Sequence, residues 1–186
     1  MDSPASQPAY QGSVGILLSN LGTPDATDYR SIRRYLREFL SDARVIEEPR
    51  WKWYPILHGI VLTTRPQKTG ANYDKIWNRD RDESPMRTIC RAQEEKLAAA
   101  FADEPRIVVE TGMRYGNPSI DSAVARLIEK GCERIVFFPL YPQFSATTTA
   151  TANDQLYRVL MKIRHQPTAR AVPPYYDEPV YIEALA

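Results

Sequence analysis

Arg106-Ile107-Val108-Val109-Glu110, the segment Ser119 to Lys130, and Ile135-Val136-Phe137-Phe138 decide the fold between them. The first and third are short apolar runs, the pattern of strands covered on both faces. Between them Ile120, Val124, Leu127 and Ile128 fall on one side of a helix that Gly131 is placed to stop. Working outward toward the C-terminus, residues 150–164 read as a helix with Leu156, Val159, Leu160 and Ile163 inward. Residues 169–173 read as a strand, and Val180 to Ala186 as the start of a helix. Toward the N-terminus, Val14-Gly15-Ile16-Leu17-Leu18 is another buried strand, broken by Asn20-Leu21-Gly22-Thr23-Pro24-Asp25. Ile32, Tyr35, Leu36, Phe39 and Leu40 then mark an amphipathic helix with Asp28 as its N-cap. Strands alternating with helices imply parallel pairing, hence an α/β fold with a doubly wound parallel sheet. Ligands of such sheets sit outside the carboxyl ends of the strands. Here those ends are Ser19–Asp25, Thr111–Pro118 and Pro139–Thr149.

Residues 45–83 are less regular. They predict helices near 54–63 and 69–77, separated at Arg65-Pro66, and then a charged loop from Asn78 to Glu83. Ser84 and Pro85 cap and open a further helix, with Met86, Ile89, Cys90, Gln93, Leu97 and Phe101 on one face. Residues 1–13 are small and polar and read as a disordered tail. The 186 residues are 43% hydrophobic and 25% charged, which excludes overall disorder. A net charge of +1 gives no global pull toward nucleic acid. Two cysteines, Cys90 and Cys132, point to small core residues in a reducing compartment. No run reaches the roughly 18 apolar residues that span a bilayer. The sequence therefore reads as cytoplasmic.

Two strand-end segments stand out chemically. Gly112-Met113-Arg114-Tyr115-Gly116-Asn117-Pro118 sets a permanent cation beside a phenol; a ligand-gripping pair and an ordinary surface arginine both fit it. Tyr141-Pro142-Gln143-Phe144-Ser145-Ala146-Thr147-Thr148-Thr149 holds two aromatics and five hydroxyl or amide side chains ahead of a helix. A cap needs one such residue, so the run points beyond capping to a polar ligand. Dinucleotide, Walker A and G-x-S-x-G motifs are absent. His58 and His165 have no carboxylate at ligand spacing, so no metal site is expected. Residues 51–64 are apolar, and 30–68 carry nine Lys/Arg against four Asp/Glu. An apolar lip with a basic rim suits an anionic amphiphile or a membrane surface, and a core helix with basic flanks equally fits.

The stretches Leu18 to Pro24, Arg65 to Lys68, Tyr73 to Trp77, Ser84-Pro85, Gly112 to Tyr115, Tyr141 to Thr148 and Tyr175 to Pro179 follow one another as in a known family. The chain resembles the N-terminal half of ferrochelatases, enzymes that insert ferrous iron into a porphyrin in haem synthesis. The resemblance implies a Rossmann-like, chelatase-like half-molecule over 14–186, cut before a C-terminal domain, with protoporphyrin IX and ferrous iron as substrates and no permanently bound cofactor. It implies porphyrin contacts from Leu21, Arg65, Tyr73, Ser84, Arg114, Tyr115, Tyr141, Gln143 and Ser145. Arg65 matches a position at the porphyrin rim, Ser84 one facing a propionate, and Arg114 and Tyr115 the metal side.

A porphyrin is an apolar disc with carboxylates at one edge, so it needs apolar walls and forked cations. It must also lose two pyrrole protons as the metal enters, which calls for a base. The family's His and Glu for that step belong to its C-terminal half, and no catalytic residue is assigned here. Ala146 stands where some members carry a cysteine ligand, so no iron–sulfur cluster is expected. The same resemblance implies a membrane-facing mouth at 51–64 and a sticky bare cleft wall that self-associates. A non-catalytic porphyrin- or haem-binding module of the same ancestry, and an interaction subunit, are the alternatives.

Overall fold

The computed structural model describes residues 12–186. The expected tail lies outside the described residues up to position 11, and Ser13 already belongs to the first strand. The elements are β1 (Ser13–Thr23), α1 (Tyr29–Leu40), α2 (Arg50–Ile56), α3 (Leu62–Ile76), α4 (Pro85–Ala100), β2 (Ile107–Gly116), α5 (Ile120–Glu129), β3 (Cys132–Pro139), α6 (Thr151–Leu160), β4 (Thr168–Ala171) and α7 (Pro179–Leu185). The strands form one sheet in the order β2-β1-β3-β4. All pairings are parallel, as the strand–helix alternation predicts. β1 sits in the middle, so its side chains meet helices on both faces.

One face is aliphatic. Leu17, Ile135 and Phe137 from the sheet bury themselves against Ile120, Val124 and Leu127 of α5 and Leu156 of α6. Removing each such side chain from water contributes about 1.5–3 kcal/mol. The opposite face is covered by α1, α3 and α4. There Ile32, Tyr35, Leu36, Leu57, Leu62 and Tyr115 form a second cluster rich in phenols.

Three expectations need correction. First, β1 runs through Asn20-Leu21-Gly22-Thr23, which the turn-like residues mark as a break. Pairing with β2 continues to Thr23 opposite Gly116. Gly22 makes this possible: it has φ +102, and a Cβ there would lie 1.8 Å from the Tyr115 carbonyl oxygen. β2 likewise extends to Gly116, so most of the expected 111–118 loop is strand.

Second, Pro66 does not end a helix. α2, a π-helical turn at Leu57–Val61 and α3 run on without a gap. Pro66 has no N–H to donate to the carbonyl four residues back, and the Tyr29 phenol donates to that Leu62 oxygen instead, at 3.0 Å. In the π turn, the Thr63 and Thr64 hydroxyls donate to the Gly59 and Ile60 carbonyls.

Third, Ile89 and Ile128 face outward, at 57% and 36% exposure, and Gln93 is exposed too. The buried stripe of α4 centres on Cys90 and that of α5 on Leu127, and the preceding or following residue lies about 100° round the helix. Asp28, by contrast, caps α1 as expected, accepting from the amides of Arg30 and Ser31.

Candidate functional site: the carboxyl end of the sheet

The strand ends gather the chemistry, and their centre is a residue the sequence does not advertise. Asp42 lies just past the end of α1, and its carboxylate is almost wholly buried. Oδ2 accepts from the Arg114 guanidinium, from the Thr151 hydroxyl at the start of α6, and from the Tyr115 phenol at 2.8 Å. Oδ1 accepts from the Arg44 amide at 2.8 Å. Arg114 also donates through Nε to the Thr151 carbonyl and hydroxyl, at 3.0 and 2.7 Å. Its guanidinium carbon stands 4.3 Å from the centre of the Tyr115 ring, which the Phe39 ring meets edge-on at 5.2 Å. One buried carboxylate thus joins α1, β2 and α6, and the Arg114 cation is neutralised inside the fold.

These contacts set the protonation states. Burial pushes the Asp42 carboxyl up, but the bonds from Thr151, Arg44 and Tyr115 and the Arg114 charge bring it below its ordinary value. Burial, with the Asp42 charge acting the same way, raises the Tyr115 phenol to about 12. Burial also raises Tyr35 and Tyr141, helped by the neighbouring phenols. The site is therefore a group of neutral phenols around one anion and its cation.

A second carboxylate braces the adjoining loop. Asp25 accepts from Arg34 at 2.8 Å, Arg87 at 2.9 Å and the Asn117 amide at 3.0 Å. The Ser19, Thr23 and Tyr141 hydroxyls are buried at this end of the sheet without a hydrogen-bond partner among the described residues. Hydrogen-bonding capacity is concentrated where doubly wound sheets meet ligands.

The expected site residues divide into two sets. Leu21 and Tyr73, both partly buried, pack with Tyr35 and the wholly buried Tyr115 in one cluster, whereas Tyr141 packs against the aliphatic cluster on the other face of the sheet. Ser84 is 1% exposed and caps α4 by accepting from the Arg87 amide. Ser145 likewise caps the turn that leads into α6. Gln143 is exposed. Arg65 stands exposed on α3, with no hydrogen bond or ion pair among the described residues. The loop holding Tyr141 is backed by Tyr175, whose amide donates to the Pro142 carbonyl at 3.0 Å and whose ring meets Phe138 at 5.3 Å.

Beside the Asp42 hub opens a cleft of about 900 Å³. Its lining is polar and of both signs, including Glu38, Asp42, Arg44, Arg114, Asp154 and Arg158. Leu21 and Tyr141 do not line it, so the expected apolar wall and this cleft are separate features. His58 and His165 are exposed. No group of three or more His, Cys, Asp and Glu among the described residues is arranged to hold a metal.

The arm at 50–76 has a buried side and a bare side. Leu57 and Leu62 are fully buried, and the Trp53 indole donates to the Leu40 carbonyl at 2.6 Å. Trp51, Ile56 and Ile60 are exposed, Trp51 by 74%. No helix among the described residues is long and apolar enough to cross a membrane.

Sequence reasoning missed Asp42, Thr151 and Tyr35. The usable signal was indirect: an arginine placed at the end of a buried strand requires a counter-charge, and an acid just after an apolar helix is one of few candidates.

Comparison with known proteins identifies the family. The ferrochelatase family profile matches residues 13–186. A ferrochelatase from Mesorhizobium japonicum is 65% identical over 179 residues, 96% of this chain and 51% of the relative. One from Brucella anthropi is 66% identical over 173 residues, 93% of this chain and 49% of the relative. One from Chelativorans sp. is 63% identical over 174 residues, covering 94% and 49%. The chain spans about half the length of the curated relatives it matches. With a four-stranded parallel sheet wound on both sides and a match over nearly its whole length, this chain belongs to the ferrochelatase family.

Proposed function

We propose that this chain supplies a porphyrin-gripping wall for the insertion of ferrous iron into protoporphyrin IX. The observation that carries the reading is the packing of the partly buried Leu21 and Tyr73 over the buried Tyr115 at the strand ends, with Arg114 against the Tyr115 ring. Aromatic and aliphatic side chains suit the faces of the disc. Arg65 is exposed and unpaired among the described residues, so it is the cation suited to a propionate. Arg114 is already neutralised by Asp42, so it shapes the wall instead.

Metallation requires the ring to bend, two pyrrole protons to leave and iron to shed its water. Neutral phenols with raised pKa values do not accept protons near neutrality. The base therefore comes from outside these residues, and this chain contributes grip and shape. Ferrous iron is a substrate here. The exposed Trp51, Ile56 and Ile60, with Arg50 and Lys52 nearby, support a peripheral membrane contact by which an insoluble substrate enters. The protein is then cytoplasmic and docked at a membrane surface. α7 buries none of its residues and exposes Val180, Ile182 and Leu185, which supports self-association of this chain.

The test is an absorbance titration with protoporphyrin, followed by zinc as an air-stable substitute for iron. The expected result is a saturable shift of the porphyrin band with no acceleration of metallation over buffer. Faster metallation would show that the chain holds its own base. No shift would overturn the porphyrin reading. A shift retained in a full-length relative that never metallates would favour the non-catalytic binding module.

A further inference from the structure

Asp42 joins residues far apart in the chain at a single oxygen. Its Oδ2 takes Arg114 and Tyr115, the candidate porphyrin pair, together with Thr151. Without that carboxylate, Arg114 would keep only its Thr151 contacts, and Tyr115 would keep only a 3.4 Å approach to the same hydroxyl. The guanidinium would then be an uncompensated cation at the mouth of the polar cleft, free to turn away from the Tyr115 ring.

We infer that Asp42 is a positioning residue for porphyrin binding: it clamps Arg114 over the buried Tyr115 ring and so sets the shape and neutrality of the layer on which Leu21 and Tyr73, the surface the disc meets, are packed. The inference rests on the porphyrin reading above. It assigns a role to a residue that touches the disc only through others, and it requires Asp42 to affect binding beyond any effect on folding.

β2 supplies a matched control. Glu110 is also buried and holds two cations, Arg126 and Lys130, both at 2.6 Å. It sits toward the other end of the strand, away from the candidate site. The experiment titrates the full 186-residue chain with protoporphyrin, reading affinity and the position of the bound porphyrin band, alongside thermal melts.

Asp42→Asn is expected to weaken binding about tenfold, the loss typical of a charged hydrogen-bond partner, and to move the band toward that of porphyrin in buffer. Glu110→Gln is expected to lower the melting temperature yet leave affinity and band unchanged. Thr151→Val removes one arm of the clamp and is expected to weaken binding about threefold; it carries the test if Asp42→Asn does not fold. Wild-type affinity and band in Asp42→Asn, or in Thr151→Val where only that variant folds, overturn the inference, as does an equal loss in Glu110→Gln. A wild-type chain that gives no porphyrin shift overturns the porphyrin reading and the inference with it; a wild-type shift that the variants leave intact overturns the inference alone.

Discussion

The two faces of the sheet are built from different materials. Under α5 and α6 the core is largely aliphatic, with Leu17, Val124, Leu127, Ile135 and Leu156 buried. Under α1 and α3 the core contains Tyr35 and Tyr115, with Tyr73 packed against them, and each buried phenol needs a partner. Tyr35 finds the Gly22 carbonyl at 3.2 Å, and Tyr115 finds Asp42. The aliphatic face is assembled mainly by shape. The phenolic face must be wired, and the wiring meets at the strand ends. The bulk of the aliphatic packing and the phenolic cluster thus lie on opposite faces of one sheet, joined at its carboxyl end where Thr151 of α6 meets Asp42.

That contrast can be broken first at the seam. Gly22→Ala places a Cβ against the Tyr115 backbone at a positive φ. It is expected to cost about 4 kcal/mol or more, enough to prevent folding, as read by urea denaturation. On the aliphatic face, Phe137→Ala is expected to cost about 3–4 kcal/mol in the same measurement, while the relative affinity of the remaining folded protein for porphyrin stays unchanged.

Alkaline pH acts on the buried phenols, two of which, Tyr35 and Tyr115, belong to the phenolic cluster. Tyr35, Tyr115 and Tyr141 hold their protons in the folded state beyond the ordinary value near 10, Tyr115 to about 12. The unfolded chain releases those protons first. Stability is therefore complete below about pH 10 and falls above it by up to about 1.4 kcal/mol per pH unit for each such phenol. Absorbance at 295 nm and circular dichroism should change together, in one cooperative step. A gradual titration with unchanged circular dichroism would mean that these phenols are not locked.

Tyr35→Phe sharpens the comparison, since it removes one wire and no volume; the expected cost is about 1 kcal/mol in urea. The smallest effect on stability belongs to Ile60→Asp on the exposed lip, expected within about 0.5 kcal/mol of wild type. The same change should abolish sedimentation with anionic vesicles if the lip is the membrane contact.

Local chemistry was legible in the sequence. Asp28 and Ser84 cap the helices they precede, and the apolar runs at Ile16, Val108 and Val136 are strands. Arg114, Tyr115 and Tyr141 could be placed at the carboxyl ends of a sheet. What escaped was set by distant partners. Pro66 reads as a helix break because Tyr29, 33 residues earlier, gives no local sign that it will satisfy Leu62. Gly22 reads as a turn because its close approach to Tyr115 depends on a strand nearly a hundred residues away. Asp42 is one acid among four in a basic stretch, and its partners lie 72, 73 and 109 residues further on.

If this chain grips a porphyrin as proposed, the disc meets the carboxyl end of the sheet. Ring-current shifts in the amide spectrum of the ¹⁵N-labelled chain test it directly, because a porphyrin strongly displaces resonances near its faces. The largest shifts are expected at Leu21 to Asp25, Met113 to Asn117 and Leu140 to Ser145, with little change near Ser13, Ile107 and Gly131 at the opposite end. Shifts centred on that opposite end, or spread evenly over the chain, would contradict it.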